Sequence, residues 1–127
     1  MQPSSIFAPA NRTLDRRIAV EFMGWVRKTW HDPYDDTTYE YLLSSLEQSP
    51  REALALTLPY FSTNQQDADA VVERLYAIGW AVDIQLVSKG QRSWQVALSH
   101  NSQPKRIVTQ STTLPHAICL AALQIKG

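Results

Sequence analysis

Hydrophobic residues recur along this chain at two different spacings, and the switch between them falls at Gly79-Trp80. Before that point the spacing is helical. Leu14, Ile18, Phe22, Trp25 and Val26 repeat at i+4 and i+3, which predicts a helix over 14–29 with one buried stripe, capped by Thr13. Asp32-Pro33 should stop it, because a residue preceding proline avoids the α region. Residues 32–36 read as a turn. Tyr39, Leu42, Leu43 and Leu46 then predict a second helix over 38–47. Ser49-Pro50-Arg51-Glu52 combines a capping-box pattern with proline at the first helical position, so a short helix over 50–57 is expected, ended by Pro59. Ser62-Thr63-Asn64-Gln65 opens another, over 64–78, carrying Ala68, Val71, Val72, Leu75 and Ile78, and Gly79 closes it.

After Gly79 the period is 2. Trp80, Val82, Ile84 and Leu86 alternate with Ala81, Asp83 and Gln85 and predict a strand. Ser88-Lys89-Gly90-Gln91 turns the chain into a second strand over 92–99, with Trp94, Val96 and Leu98 on one face. Asn101-Ser102-Gln103-Pro104 leads to a third over 105–110. Such short links favour an antiparallel meander. Thr112-Thr113-Leu114-Pro115 opens a last helix over 114–125, whose apolar face is Leu114, Ile118, Ala121, Ala122 and Ile125. The expected fold class is α+β: a small antiparallel three-stranded sheet covered by helices, an αβα sandwich. A single domain over 13–127 would follow a flexible arm over 1–12.

Size and composition agree with one globular domain. The chain has 127 residues and is 44% hydrophobic, enough for one core and too little for two. No apolar run approaches the roughly 20 residues of a membrane span, and the first residues do not read as a secretory signal. One cysteine, Cys119, cannot form an internal disulfide, which fits a reducing, cytoplasmic compartment.

Charge adds something that the total hides. The net formal charge is zero, yet residues 1–31 carry +3, residues 32–83 carry −8 and residues 84–127 carry +5. Two basic ends could meet around a small anionic ligand, or the blocks could simply pair with one another. The acidic centre argues against an extended nucleic-acid partner, because it would repel a long phosphate backbone.

Four landmarks stand in order along the chain: Phe22-Met23-Gly24-Trp25; Leu58-Pro59-Tyr60-Phe61-Ser62-Thr63, leading into Val71-Val72-Glu73-Arg74-Leu75; Gly79-Trp80; and Leu114-Pro115-His116-Ala117-Ile118-Cys119-Leu120-Ala121-Ala122-Leu123. Together they resemble the small phage proteins of the αβα-sandwich domain family, over roughly residues 14–126. The family has hairpin-like sequence where this chain reads as helical, within 32–57. In size and layout the chain is also similar to phage anti-defence sponges such as the Thoeris inhibitors. That likeness implies a binding protein that sequesters a nucleotide-derived immune signal, a cyclic ADP-ribose isomer or a cyclic oligonucleotide, without cleaving it; no cofactor is expected, and the edges and apolar faces of so small a sheet predict a homo-oligomer.

Such a site needs cations for phosphate and an aromatic face for a base. Candidate cations are Arg27, Lys28, Arg92, Lys105 and Arg106, and the candidate stacking residues are Trp80 and Trp94, with Trp25 and Trp30 also available. The tryptophans on apolar stripes are equally candidates for the core, and the sheet cations for a solvated edge. Asp83 lies opposite Trp80 and Ile84 in the alternation; it would accept from a ribose hydroxyl or an amino group, or pair with Arg92 or Arg106. His31, His100 and His116 show no metal-ligand spacing. His116 and Cys119 are three residues apart on a helix, among apolar neighbours that read as core. Phosphate-loop, dinucleotide and nucleophile-elbow motifs are absent. The alternative function is a phage accessory protein that binds a host protein through the acidic helical segment, with Asp35, Asp36 and Glu40 as contacts.

Overall fold

The computed structural model describes residues 8–44, 58–89 and 91–126. The N-terminal helix α1 spans Arg12–Arg17 and widens into a π-helical turn over Ile18–Phe22, where the Met23 N–H reaches the Ile18 carbonyl five residues back at 2.8 Å. Two strands follow, β1 over Val26–Asp32 and β2 over Thr37–Leu43. Helix α2 covers Gln65–Ala77, strands β3, β4 and β5 cover Trp80–Lys89, Gln91–His100 and Gln103–Ser111, and helix α3 covers Leu114–Lys126.

The second half follows the sequence pattern closely. Strands β3–β4–β5 form the expected antiparallel meander, with Val82 opposite Leu98 and Leu98 opposite Ile107. Val96, Leu98 and Ile107 are buried on one face, beneath α3, while α2 packs on β3. Helix α3 is the centre of the molecule. Ala117 to Leu123 are all buried, because the β4–β5 sheet, α2 and the π-helical turn pack around it. Its apolar composition on every side is what such a position requires. The opposite face of the β3–β5 sheet, carrying Asp83, Gln85, Val108 and Gln110, is exposed.

The first half differs from expectation in three places. Asn11, not Thr13, caps α1: its side chain accepts from the Leu14 N–H at 3.0 Å. The helix expected over 14–29 ends at Phe22, because Gly24 takes a left-handed φ of +82° and turns the chain. Residues 26–29 are strand instead. The helix expected over 38–47 is replaced through Leu43 by β2, which pairs antiparallel with β1 from Val26–Leu43 to Asp32–Thr37. Thr37, Thr38, Tyr39 and Tyr41 are β-branched or aromatic, types that favour a pleated surface. The helix expected over 50–57 lies outside the described residues. The turn at 32–36 holds: it closes the ribbon, with Asp36 at φ 55°.

A buried carboxylate fixes α1 to the segment before α2. Asp15 is fully buried. Its Oδ1 accepts from the Ser62 N–H at 2.8 Å and the Ser62 hydroxyl at 2.7 Å. Its Oδ2 accepts from Arg12 at 2.7 Å. Arg12 also donates to the carbonyls of Leu58 at 2.6 Å and Pro59 at 3.1 Å, and its guanidinium lies 3.8 Å above the Tyr60 ring.

Candidate functional site

The β1–β2 ribbon stands apart as a separate two-stranded sheet, and its alternation sorts its side chains onto two faces. On one, Lys28 is opposite Tyr41 and Trp30 is opposite Tyr39. The Trp30 and Tyr39 rings stack, with centroids 5.8 Å apart and planes 24° apart, and Trp30 keeps 39% of its surface open to solvent. On the other, Arg27 is opposite Leu42 and Thr29 is opposite Glu40. Glu40 accepts from Arg16 at 2.9 Å, tying the ribbon to α1.

A cleft of about 320 Å³ is lined by Arg27, Lys28, Thr29 and Glu40. Arg27 and Lys28 are exposed, and among the described residues neither makes a side-chain hydrogen bond or ion pair. The cleft offers Arg27, Thr29 and Glu40 from one face of the ribbon and Lys28 from the other, while the Trp30–Tyr39 stack lies on the Lys28 face, outside the lining. This set can receive a phosphate by a guanidinium fork and an ammonium group.

The ribbon tip is built of acids held in place by local bonds. Asp32 accepts from the Tyr34 N–H and Asp35 from the Thr37 N–H, both at 2.9 Å. The Tyr39 hydroxyl donates to Asp35 at 2.8 Å. That bond holds the Asp35 carboxyl below its ordinary range and raises the Tyr39 phenol above its own. His31 lies 3.2 Å from Asp36 and 3.0 Å from the Thr38 hydroxyl. Tyr34 at the turn is 98% exposed.

Of the residues singled out by sequence, only Arg27 and Lys28 line this cleft. Trp80 is a core side chain, buried and edge-on to His100 with centroids 5.1 Å apart, so it has no face left for a ligand. Trp94 lies on the helix-facing side of β4, half-buried between Leu86 and Ser111. Asp83 is on the open face, opposite Ala97 and then Val108, and so pairs with neither Arg92 nor Arg106. Arg92 stands at the β3–β4 turn end of the sheet and Arg106 near the other, roughly 20 Å away along the strands. Lys105 and Arg106, being consecutive in β5, point to opposite faces. These cations do not form one site.

Cys119 is buried, and burial raises its thiol far above the ordinary range. His116 is engaged elsewhere. Its Nε2 is 2.7 Å from the Ala8 carbonyl, which can only accept, so Nδ1 accepts from Ser111 at 2.7 Å. Sequence reasoning missed the aromatic face. The alternation Tyr39, Tyr41, Leu43 was present in the chain, but the same stretch also satisfied a helical spacing.

Among the described residues no helix is long and apolar enough to cross a membrane. Residues 16–123 match the family model described as the phage ABA sandwich domain. No curated protein and no solved structure matches the chain.

Proposed function

The chain belongs to the phage ABA sandwich domain family, and on that premise we propose that it is a phage binding protein that sequesters a small nucleotide-derived anion on its β1–β2 ribbon. What supports this reading above all is the cleft lined by Arg27 and Lys28, two cations with no side-chain hydrogen bond or ion pair among the described residues, on a ribbon whose Lys28 face also carries the exposed Trp30–Tyr39 stack. Arg27 grips a phosphate through two parallel N–H donors, and Lys28 adds a second charge. Trp30 takes the base on the Lys28 face, so the ligand wraps the outer edge of β1 to reach Arg27 on the other, a stacking contact worth about 1–3 kcal/mol in nucleic-acid complexes. Thr29 and Glu40 supply a hydroxyl and an acceptor for ribose or amino groups. The ligand is held without being cleaved, and its withdrawal from the host cytoplasm blunts a nucleotide-signalled anti-phage defence.

The test is to incubate the protein with cyclic oligonucleotides and cyclic ADP-ribose isomers, wash it, denature it with heat and identify what is released. Recovery of one intact compound, lost in Lys28→Glu and Trp30→Ala, is the expected result. If no member of the panel binds, or if the compound returns cleaved, the reading is wrong.

One observation favours a second reading, docking on a host protein. Tyr34 stands almost wholly exposed at the ribbon tip, flanked by Asp32, Asp35 and Asp36. An acidic, tyrosine-tipped projection suits a basic protein surface. A pull-down from host lysate separates the two readings: stoichiometric capture of a protein, abolished by charge reversal at Asp35, Asp36 and Glu40, favours docking over sequestration.

A further inference from the structure

The β3–β4–β5 sheet has two outer edges, and the chain treats them differently. The β5 edge begins Gln103-Pro104-Lys105-Arg106. Proline cannot donate to a new ladder and exposed cations repel an incoming strand, so that edge is guarded. The β3 edge has no proline, and its one lysine, Lys89, sits at the turn end. It runs for ten residues, Trp80–Lys89, and from Trp80 to Val87 its only charge is Asp83. Its helix-facing side chains Ile84 and Leu86 are also poorly covered, remaining 38% and 45% exposed, while opposite them in β4 Val96 is buried and Trp94 half-buried. An unguarded edge with half-exposed aliphatic side chains is what a strand partner completes.

The sequence of β3 identifies that partner. Place two copies of β3 antiparallel about a two-fold axis at Gln85. The side-chain period then sets every opposing pair. Ile84 faces Leu86 of the second copy and Leu86 faces its Ile84, so the two exposed aliphatic residues cover each other. Asp83 faces Val87 across the axis, and no like charges are opposed. Gln85 faces Gln85. Within one chain Gln85 is already opposite Gln95, and Gln95 opposite Gln110, so the axis joins two rows of three amides into one row of six across the open face. Amide ladders of this kind reinforce strand pairing.

We propose that β3 is a self-pairing edge, through which two copies of this chain form a symmetric dimer with a continuous six-stranded sheet centred on Gln85. The dimer does not depend on the ribbon or on any ligand.

Sedimentation and cross-linking of the full chain test this. The wild type should sediment at about twice its 14.4 kDa mass. Leu86→Lys should weaken the dimer roughly 30- to 100-fold, since the symmetry removes two aliphatic contacts. Leu86 is already half exposed, so this variant should keep the wild-type circular dichroism spectrum. Register is read separately: Gln85→Cys places two Cβ atoms about 5 Å apart across the axis and should cross-link on mild oxidation, while Cys119, being buried, stays silent. Val108→Cys, on the open face away from the axis, should not cross-link. A wild type that stays monomeric at high micromolar concentration overturns the proposal. So does a dimer unaffected by Leu86→Lys, or a Gln85→Cys protein that cross-links no faster than Val108→Cys.

Discussion

Replacing Asp15 by alanine should cost this domain about 1–4 kcal/mol, and the amount can be built from the contacts that are lost. The carboxylate is buried and holds three donors: the Ser62 N–H, the Ser62 hydroxyl and Arg12. Without it the Ser62 N–H is left buried and unpaired, which costs about 1–3 kcal/mol. The Ser62 hydroxyl keeps a partner, the Asn11 carbonyl at 3.2 Å. The Arg12 side chain is 42% exposed and keeps the Leu58 and Pro59 carbonyls, so its lost ion pair adds at most about 1 kcal/mol. With an unfolding entropy of about 2.1 cal/mol/K per residue, a domain of this length loses about 3–4 °C per kcal/mol. The thermal unfolding midpoint followed by circular dichroism should therefore fall by about 4–15 °C. Ser62→Ala added to Asp15→Ala should cost less than the sum of the two single changes, because the pair shares its bonds. A fall of less than about 3 °C, or full additivity, would refute the view that this carboxylate latches α1 to the segment before α2.

Gly79→Ala should destabilise by roughly 2–3 kcal/mol in urea unfolding. The residue has a φ of +97°, and a Cβ there would meet His100 Nε2 at 2.6 Å, which adds backbone strain to the loss of the 3.2 Å bond from His100 to the Ile78 carbonyl. Tyr39 should ionise later than an ordinary tyrosine in an ultraviolet titration, and Asp35→Asn should bring it back toward pH 10. The sign follows from linkage: a raised folded-state Tyr39 loses its contribution as pH rises above 10, and a lowered Asp35 loses its own as pH falls below 3.8. Arg27→Glu with Lys28→Glu should leave the unfolding midpoint within the small range of surface changes, about 0.5 kcal/mol, while abolishing ligand capture.

How legible the fold was depends on how strictly each segment is buried. Helix α2, strands β4 and β5 and helix α3 each bury apolar side chains against the core, and β3 keeps its alternation beside them, so their periods survive in the sequence. The ribbon is mostly exposed on both faces, so nothing enforces a strict alternation there. Trp25 and Val26 continue the i+3 and i+4 spacing of α1 by coincidence, and Gly24 is the local sign that the helix has ended. The candidate site was blurred for a related reason. Counting charges treated every cation as available, but Arg12 is spent on backbone carbonyls and Asp15, Arg16 on Glu40 and Arg17 on Glu21. Arg74, in the acidic block, is spent on the Phe22 carbonyl at 2.6 Å. Of the basic N-terminal block, Arg27 and Lys28 are left uncommitted. Trp80, on an apolar stripe, was already readable as a core residue, whereas Trp30 lay on none; the stack of Trp30 on Tyr39 needed the ribbon pairing to be seen.

The most direct test of the central claim is an amide NMR titration of the protein with cyclic oligonucleotides and cyclic ADP-ribose isomers. The account predicts that a binding compound shifts resonances of residues 26–32 and 37–43, with the Trp30 indole N–H among the largest changes, and leaves the β3–β5 sheet in place. A spectrum unmoved by every compound, or shifts centred on Arg92, Lys105 and Arg106 instead, would contradict it.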